Sequence, residues 1–256
     1  MENMQNNKHW IWAIVALLVL AEIIWSWRND KKVYQLKETF SNLVILAGFK
    51  VSKLLFTSYQ LWILNLSSGY AFFVIPHTVW AFLLCFISAD FIYYWFHRVS
   101  HQWKPLWAFH LVHHTGCKMN LTTAYRLNWF GALISPVFFL PLTLFGFPTD
   151  FIVLSYGLNL LYQFFLHTEV IGRLGILEGV MDTPSAHRVH HGSNPEYIDK
   201  NFGGVFIFWD RLFGTYQMET VKPKYGITSG PVGHNPFKLV FGGFVDLLKN
   251  KINYKG

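Results

Sequence analysis

Residues 90–101 read Asp90-Phe-Ile-Tyr-Tyr-Trp-Phe-His97-Arg-Val-Ser-His101. An apolar stretch carries one carboxylate and runs straight into two histidines four residues apart. On a helix, residues three and four apart share a face. His97 and His101 therefore point the same way, with Tyr94 and Asp90 behind them on the same stripe. Downstream come His110-Leu-Val-His113-His114, a lone His167, and His187-Arg-Val-His190-His191. Of the 12 histidines, only His9, His77 and His234 fall outside these groups, and those three read as surface or core residues. Scatter does not produce two copies of HxxHH.

The surroundings of the boxes are membrane-like. The chain has 256 residues, 52% hydrophobic and 19% aromatic, and only 14% are charged, against roughly 25% in an ordinary soluble domain. The apolar residues lie in long runs, and a spanning helix needs about 20 of them. The candidate spanning regions are 10–27, 40–66, 70–96, 129–147 and 150–166. Lys50 and Lys53 interrupt the second, either by snorkelling or because the span starts near Leu54 after an interfacial stretch. The first, apolar apart from Glu22, is longer than a signal-peptide core and lacks a small-residue cleavage site after it, so it reads as a retained helix. The last two form a hairpin around Gly146-Phe147-Pro148. The expected fold is all-α: residues 1–256 as a single integral membrane helical bundle of about four or five spans. Residues 97–128 and 167–256 would make a histidine-rich helical cap.

Topology brings the boxes together. The first two follow the third span, and the hairpin returns the chain to the same side before His167 and the last box. The formal charge of +7 reads as the cytoplasmic excess of Lys and Arg that membrane proteins carry. It places the boxes in the cytoplasm and the N-terminus outside. Basic residues are dispersed and the aromatics lie in membrane segments, so a nucleic-acid partner is not expected. Cys85 and Cys117 are the only cysteines, one of them in an apolar run, so no structural disulfide is expected.

Two short helices frame the HxxHH boxes. One starts at Pro105 and stops near Gly116. The other starts at Pro184 behind a Thr183 cap and stops at Gly192. Proline in the first turn and glycine just past the end mark such helices, and each would present three imidazoles on one face. Clustered histidines repel one another if protonated, and leave lone pairs unsatisfied if buried and neutral. Metal binding resolves both problems. Imidazole suits Zn, Fe, Cu or Ni. A structural zinc site wants four ligands and usually cysteine, whereas nine histidines supply two ions. Oxidising an unactivated C–H bond needs an oxidant that side chains cannot provide, so two irons activating O2 fit the setting. Asp90 is a charge inside an apolar helix and by default a functional residue. It is the expected carboxylate behind a ligand ring, the alternative being a polar contact with another helix.

The same residues resemble a known family. Asp90 to His101, followed by Trp107-Ala-Phe-His110-Leu-Val-His113-His114, is similar to the fatty acid hydroxylase/sterol desaturase superfamily, over roughly residues 35 to 230. The most specific stretches are Asn120-Leu-Thr-Thr-Ala-Tyr-Arg126 and Pro184-Ser-Ala-His187-Arg-Val-His190-His191-Gly-Ser-Asn194. Ile198-Asp199-Lys200-Asn201-Phe202-Gly203 and Trp209-Asp210-Arg211-Leu-Phe-Gly214-Thr215 match as well. These are nearest the alkylglycerol monooxygenase branch. The resemblance implies an all-helical, O2-dependent, non-haem diiron membrane enzyme. Gln102 stands where that branch has an acidic residue associated with pterin use, which counts against tetrahydrobiopterin. The chain is shorter than the branch, lacks its further C-terminal membrane helices, and has no cytochrome b5-like His-Pro-Gly-Gly segment, so a separate electron donor is expected.

The expected ligands are His97, His101, His110, His113, His114, His167, His187, His190 and His191. Asp90, Glu169, Asp182 and Asn194 are expected to support them from behind, with a solvated loop carboxylate as the alternative for Glu169. Asn120 and Arg126 are expected to shape the substrate mouth, or else to cap a loop and meet a headgroup. The expected reaction is hydroxylation, monooxygenation or desaturation of a lipid alkyl chain that enters from the bilayer. Two Fe ions and O2 would serve as cofactors, with zinc a possible occupant of a purified sample. The rival readings are a dizinc membrane hydrolase and a non-enzymatic metal-binding membrane protein.

Overall fold

The computed structural model describes residues 2–252, with side chains from Trp10 onward; His9 lies outside the described side chains. The named elements of the described chain are all helices: α1 Glu2–Arg28, α2 Leu36–Ser68, α3 Val79–Gln102, α4 Lys104–His114, α5 Gly131–Phe145, α6 Thr149–Phe164, α7 Pro184–His190, α8 Phe208–Leu212 and α9 Pro236–Leu248. Two 3-10 turns, Leu121–Tyr125 and Gly175–Leu177, interrupt the connections.

Among the described residues, three helices are long and apolar enough to cross a membrane: α1 from Trp10, α2 and α3. The 15 and 16 residues of α5 and α6 reach only about 22–24 Å, short of a hydrocarbon core of about 30 Å. The expected four or five spans thus become three full-length helices and a short hairpin packed against α2 and α3. Parity is unaffected, because the hairpin still returns the chain to the side of the boxes. Gly146 makes that reversal, with φ of 111°, and a Cβ there would sit 2.0 Å from the Phe73 carbonyl oxygen.

The third apolar run does not become one helix from residue 70. Residues 70–78 are irregular, and α3 begins at Val79 behind Thr78, whose hydroxyl accepts from Ala81 N–H at 3.2 Å. Pro76 supplies no N–H and biases its predecessor away from helix. The N–H groups of Phe72 and Ile75 donate instead to the carbonyls of Leu144 and Gly146, at 2.8 and 3.3 Å. This ties the far end of α5 to the loop.

The 33 residues of α2 extend about 50 Å, so one helix serves both layers. Its first turns bury Glu38, Ser41, Asn42 and Ile45 in the cap. Lys50 and Lys53 do not break it, and the Lys50 ammonium lies over the Trp12 ring at 3.6 Å. Glu22, the single charge of the first run, is buried. It accepts from Tyr34 O–H at 2.5 Å, from Leu121 N–H at 2.8 Å and from the Thr168 hydroxyl. It thereby fastens α1 to the loops on either side of the hairpin, next to His167. On the far side, Leu64, Cys85, Ala89, Phe139, Leu142, Phe147 and Ile152 form the core between α2, α3, α5 and α6. Near the cap, Ile45, Val112, Leu239 and Val240 join α2, α4 and α9.

Candidate metal centre

The nine boxed histidines converge into two adjoining sets. His97, His101, His110, His114 and His190 form one; His113, His167, His187 and His191 form the other. Within each set, one potential ligand atom per residue lies within 4.8 Å of all the others. Helix geometry accounts for the sorting. In α4, His110 and His114 turn to the first set while His113, at the edge of the same arc, turns to the second. In α7 the pattern is reversed: His187 and the flanking His191 join the second set and His190 the first. Each HxxHH box therefore contributes to both sets, and the rings of His114 and His191 stack across the boundary at 4.5 Å between centroids.

The outer ring nitrogens fix the tautomers. His97 Nδ1 donates to the Phe202 carbonyl at 2.9 Å, His167 Nδ1 to the Gln163 carbonyl at 2.7 Å, and His190 Nδ1 to the Lys200 carbonyl at 3.1 Å. His187 Nδ1 donates to Asp182 Oδ2 at 3.1 Å. With the proton held outside, Nε2 presents a bare lone pair inward. Yet inward Nε2 atoms face one another: the anchored His167 and His187 at 3.1 Å, and anchored rings against unanchored neighbours or two unanchored rings, His97 and His110 at 3.0 Å, His113 and His167 at 3.2 Å, His110 and His114 at 3.1 Å. Nitrogens at about 2.1 Å from a shared ion sit about 3.0–3.4 Å apart in octahedral or tetrahedral geometry. The buried Nε2 atoms of His190 and His191 have no hydrogen-bond partner. Facing lone pairs and orphaned nitrogens on neutral imidazoles are what a cation satisfies, so the donor sets fit two metal ions.

Electrostatics keep these ligands neutral. Burial, reinforced by neighbouring imidazoles, holds His110, His113, His114, His187, His190 and His191 well below the usual histidine range. Burial takes His167 to about 4, against the opposing pull of its bond to the Gln163 carbonyl. Asp182 is fully buried and burial pushes its carboxyl well up, so positive charge beyond the His187 ring would favour its ionised form.

These directions give a pH dependence for metal-stripped protein. The unfolded chain takes a proton at each imidazole near pH 6.5, while the folded chain resists at His167 until about 4. The unfolded state therefore binds more protons over that interval, and stability falls as pH drops from 6.5 to 4. A steady fall in melting temperature across that range is expected, and metal loading should suppress it.

Of the residues expected behind the ligands, only Asp182 meets an imidazole. Asp90 is fully buried but touches no histidine. Its carboxylate accepts from Asn159 Nδ2 at 2.6 Å, Val205 N–H at 2.7 Å, Phe206 N–H at 3.2 Å and Trp209 Nε1 at 2.9 Å. It holds the loop whose Phe202 carbonyl orients His97. Glu169 is half-buried beside Tyr225. Asn194 links loops, accepting from Lys224 N–H at 2.7 Å.

Neither expected mouth residue lines the cavity described below. Asn120 caps the 3-10 turn, accepting from Thr122 N–H at 3.0 Å. Arg126 is buried, which lowers it to about 10. It donates to the Val112 carbonyl, Asn42 and Thr115 at 2.6–3.0 Å, with Glu38 3.9 Å away. Both are cap-building residues, because their long-range partners lie on α2 and the 31–34 loop.

Sequence reasoning missed Asp210 and Asn201. Asp210 accepts from Phe202 N–H at 2.7 Å and Gly203 N–H at 2.8 Å, and burial raises it to about 6. Asn201, with φ of 57°, donates to the Ala186 carbonyl at 2.9 Å. Together they set the Lys200 and Phe202 carbonyls on which His190 and His97 rest. Their only signal was membership of the matched 198–215 stretch. The excluded His77 bonds exposed Asp150 at 3.2 Å, and the His234 carbonyl accepts from Ser41; neither histidine belongs to either set.

A cavity of about 290 Å³ opens between α2, α3, α5 and α6. Leu61, Leu64, Phe96, Phe139, Ile152 and Phe164 form much of its wall, and His110, His113 and His167 close it. It thus reaches histidines of both sets.

The family model described as fatty acid hydroxylase matches residues 82–215. The chain is 39% identical to human alkylglycerol monooxygenase over 227 residues, covering 88% of this chain and 51% of that one. It is 36% identical to the Xenopus tropicalis alkylglycerol monooxygenase over 242 residues, 91% and 52% of the respective chains. An ornithine lipid hydroxylase of Rhizobium tropici is 28% identical over 135 residues, 52% and 41%. The chain spans about half the length of these relatives. No solved structure matches it significantly.

Proposed function

The chain belongs to the fatty acid hydroxylase family, and on that premise we propose that it is a membrane-embedded diiron oxidoreductase that uses O2 to oxidise the alkyl chain of a lipid. The observation that carries this reading is the apolar cavity lined by histidines from both metal-binding sets. Two irons bound there would supply the oxidising power, turning C–H, O2, two electrons and two protons into C–OH and water. The electrons would come from a separate reductant.

The chain's own residues supply positioning. The five-histidine set would hold one ion and the four-histidine set the other. The Phe202, Gln163 and Lys200 carbonyls and Asp182 keep the rings turned inward, as outer partners do for metal-bound histidine. The cavity wall binds the alkyl chain by the hydrophobic effect, at about 0.8 kcal/mol per methylene, and excludes water from the reacting carbon. Access from the bilayer is consistent with its place between the membrane helices. Arg28, Lys31, Lys32, Lys104 and Lys118 near the box side favour the cytoplasmic face for the cap.

The dizinc hydrolase reading is weaker because neither set contains a carboxylate that could bridge two ions. Storage or transport is weaker because the histidines gather at one end of an alkyl-sized cavity instead of along a path. Incubation of the iron-loaded protein with long-chain lipid, reductant and 18O2 should give a product carrying one 18O atom. Label arriving from water instead, with full activity in the zinc form, would establish hydrolysis.

A further inference from the structure

We infer that the phenolic oxygen of Tyr93 is a fixed hydrogen-bond acceptor in the cavity wall, and that the lipid bound there carries a hydroxyl or amide N–H donor close to the carbon that faces the histidines. This rests on the lipid-oxidising reading above and adds the chemistry of the substrate.

The direction of a buried hydrogen-bond chain carries it. Asp90 faces the N–H groups of Val205 and Phe206 and the indole N–H of Trp209, at 2.7, 3.2 and 2.9 Å. These groups only donate, so Asp90 accepts throughout. Asn159 must then turn its NH2 toward Asp90, at 2.6 Å. Its carbonyl is left for Gln163, whose NH2 donates to it at 2.5 Å. The Gln163 side-chain carbonyl consequently faces Tyr93, and Tyr93 O–H donates to it at 2.9 Å. The single phenolic proton is spent, and the oxygen keeps only lone pairs to offer.

Tyr93 and Gln163 both line the cavity beside His110, His113 and His167. The Tyr93 ring lies 5.4 Å from that of His97. The acceptor therefore belongs to the part of the wall beside the histidines. Asn159 and Gln163 are themselves buried, so solvent does not reset the chain. An acceptor desolvated by an alkyl chain costs free energy unless a donor meets it, and a site built to pair with a substrate donor rejects the analogue that lacks one.

The test is binding by the full-length, iron-loaded protein in nanodiscs without O2, so that no turnover is needed. The probes are 1-hexadecanol and 1-methoxyhexadecane, each competing with a fluorescent alkyl ligand. The alcohol has a donor; the methyl ether keeps the oxygen and lacks the donor. The wild-type protein should bind the alcohol about tenfold more tightly. Tyr93→Phe should bring the alcohol down to the affinity of the ether and leave the ether unchanged. Gln163→Met frees the phenol to rotate and donate, so the ether should gain affinity and the preference should vanish.

Equal binding of both probes by the wild type, or equal loss of both in Tyr93→Phe, would overturn the assignment. Binding of neither probe would remove the lipid-site reading with it. The predicted pattern in a protein that oxidises no lipid would uphold the Tyr93 subsite while the oxidoreductase reading fell.

Discussion

Replacing His190 with alanine should remove one of two metal ions per chain and cut lipid oxidation by more than a thousandfold, while the protein still inserts and keeps its helix content. His190 belongs to the five-histidine set, its Nε2 is buried with no hydrogen-bond partner among the described residues, and its Nδ1 donates to the Lys200 carbonyl at 3.1 Å. The loss falls on ligation itself, so the effect should exceed the 10–100-fold that removing an outer partner typically costs. His191→Ala should strip the other ion, because the adjacent ring faces the four-histidine set. His77→Ala and His234→Ala should leave both metals in place. Metal analysis of the purified variants separates these outcomes.

Asp90→Leu should be the most destabilising single change in α3. It strands four donors that now converge on one fully buried carboxylate, all at 2.6–3.2 Å. Each buried donor left unsatisfied costs about 1–3 kcal/mol. The loop carrying the Phe202 carbonyl would lose its hold, and His97 with it. Metal content should fall along with the melting temperature, although Asp90 touches no ligand. Asp90→Asn, which keeps the shape and two of the acceptor sites, should show a smaller loss of both. Full iron content with normal stability in Asp90→Leu would mean the loop is held by other contacts.

The contrast between these residues marks what the sequence can carry. The histidine pairs were legible because helical spacing is local: His97 with His101, His110 with His114, and His187 with His191 share faces whatever the rest of the chain does, whereas the division into two sets was not read from the sequence. Their convergence followed from topology, which needs only an even return of the hairpin. Asp90 was legible as an anomaly but not as a contact, since its partners lie about 115 residues away in a loop without periodic signal. The same holds for Arg126, whose exposure could not be read locally and whose guanidinium is buried against α2. The start of α3 was misplaced because hydrophobicity alone ignores Pro76 and the Thr78 cap. The short α5–α6 pair reads as two spans by composition, and falls short only when helix ends are counted.

The outer partners of the rings were the least legible layer. Three of four are backbone carbonyls, at Gln163, Lys200 and Phe202, and a carbonyl has no residue-type signature. The fourth, Asp182, is a side chain five residues before His187.

Iron K-edge X-ray absorption of the iron-reconstituted protein, with metal counted per chain, tests the binuclear centre most directly. Two irons per chain, each with a nitrogen-rich shell showing the multiple scattering of imidazole and no sulfur, is the predicted result. A single iron per chain, or a shell without imidazole, would contradict it.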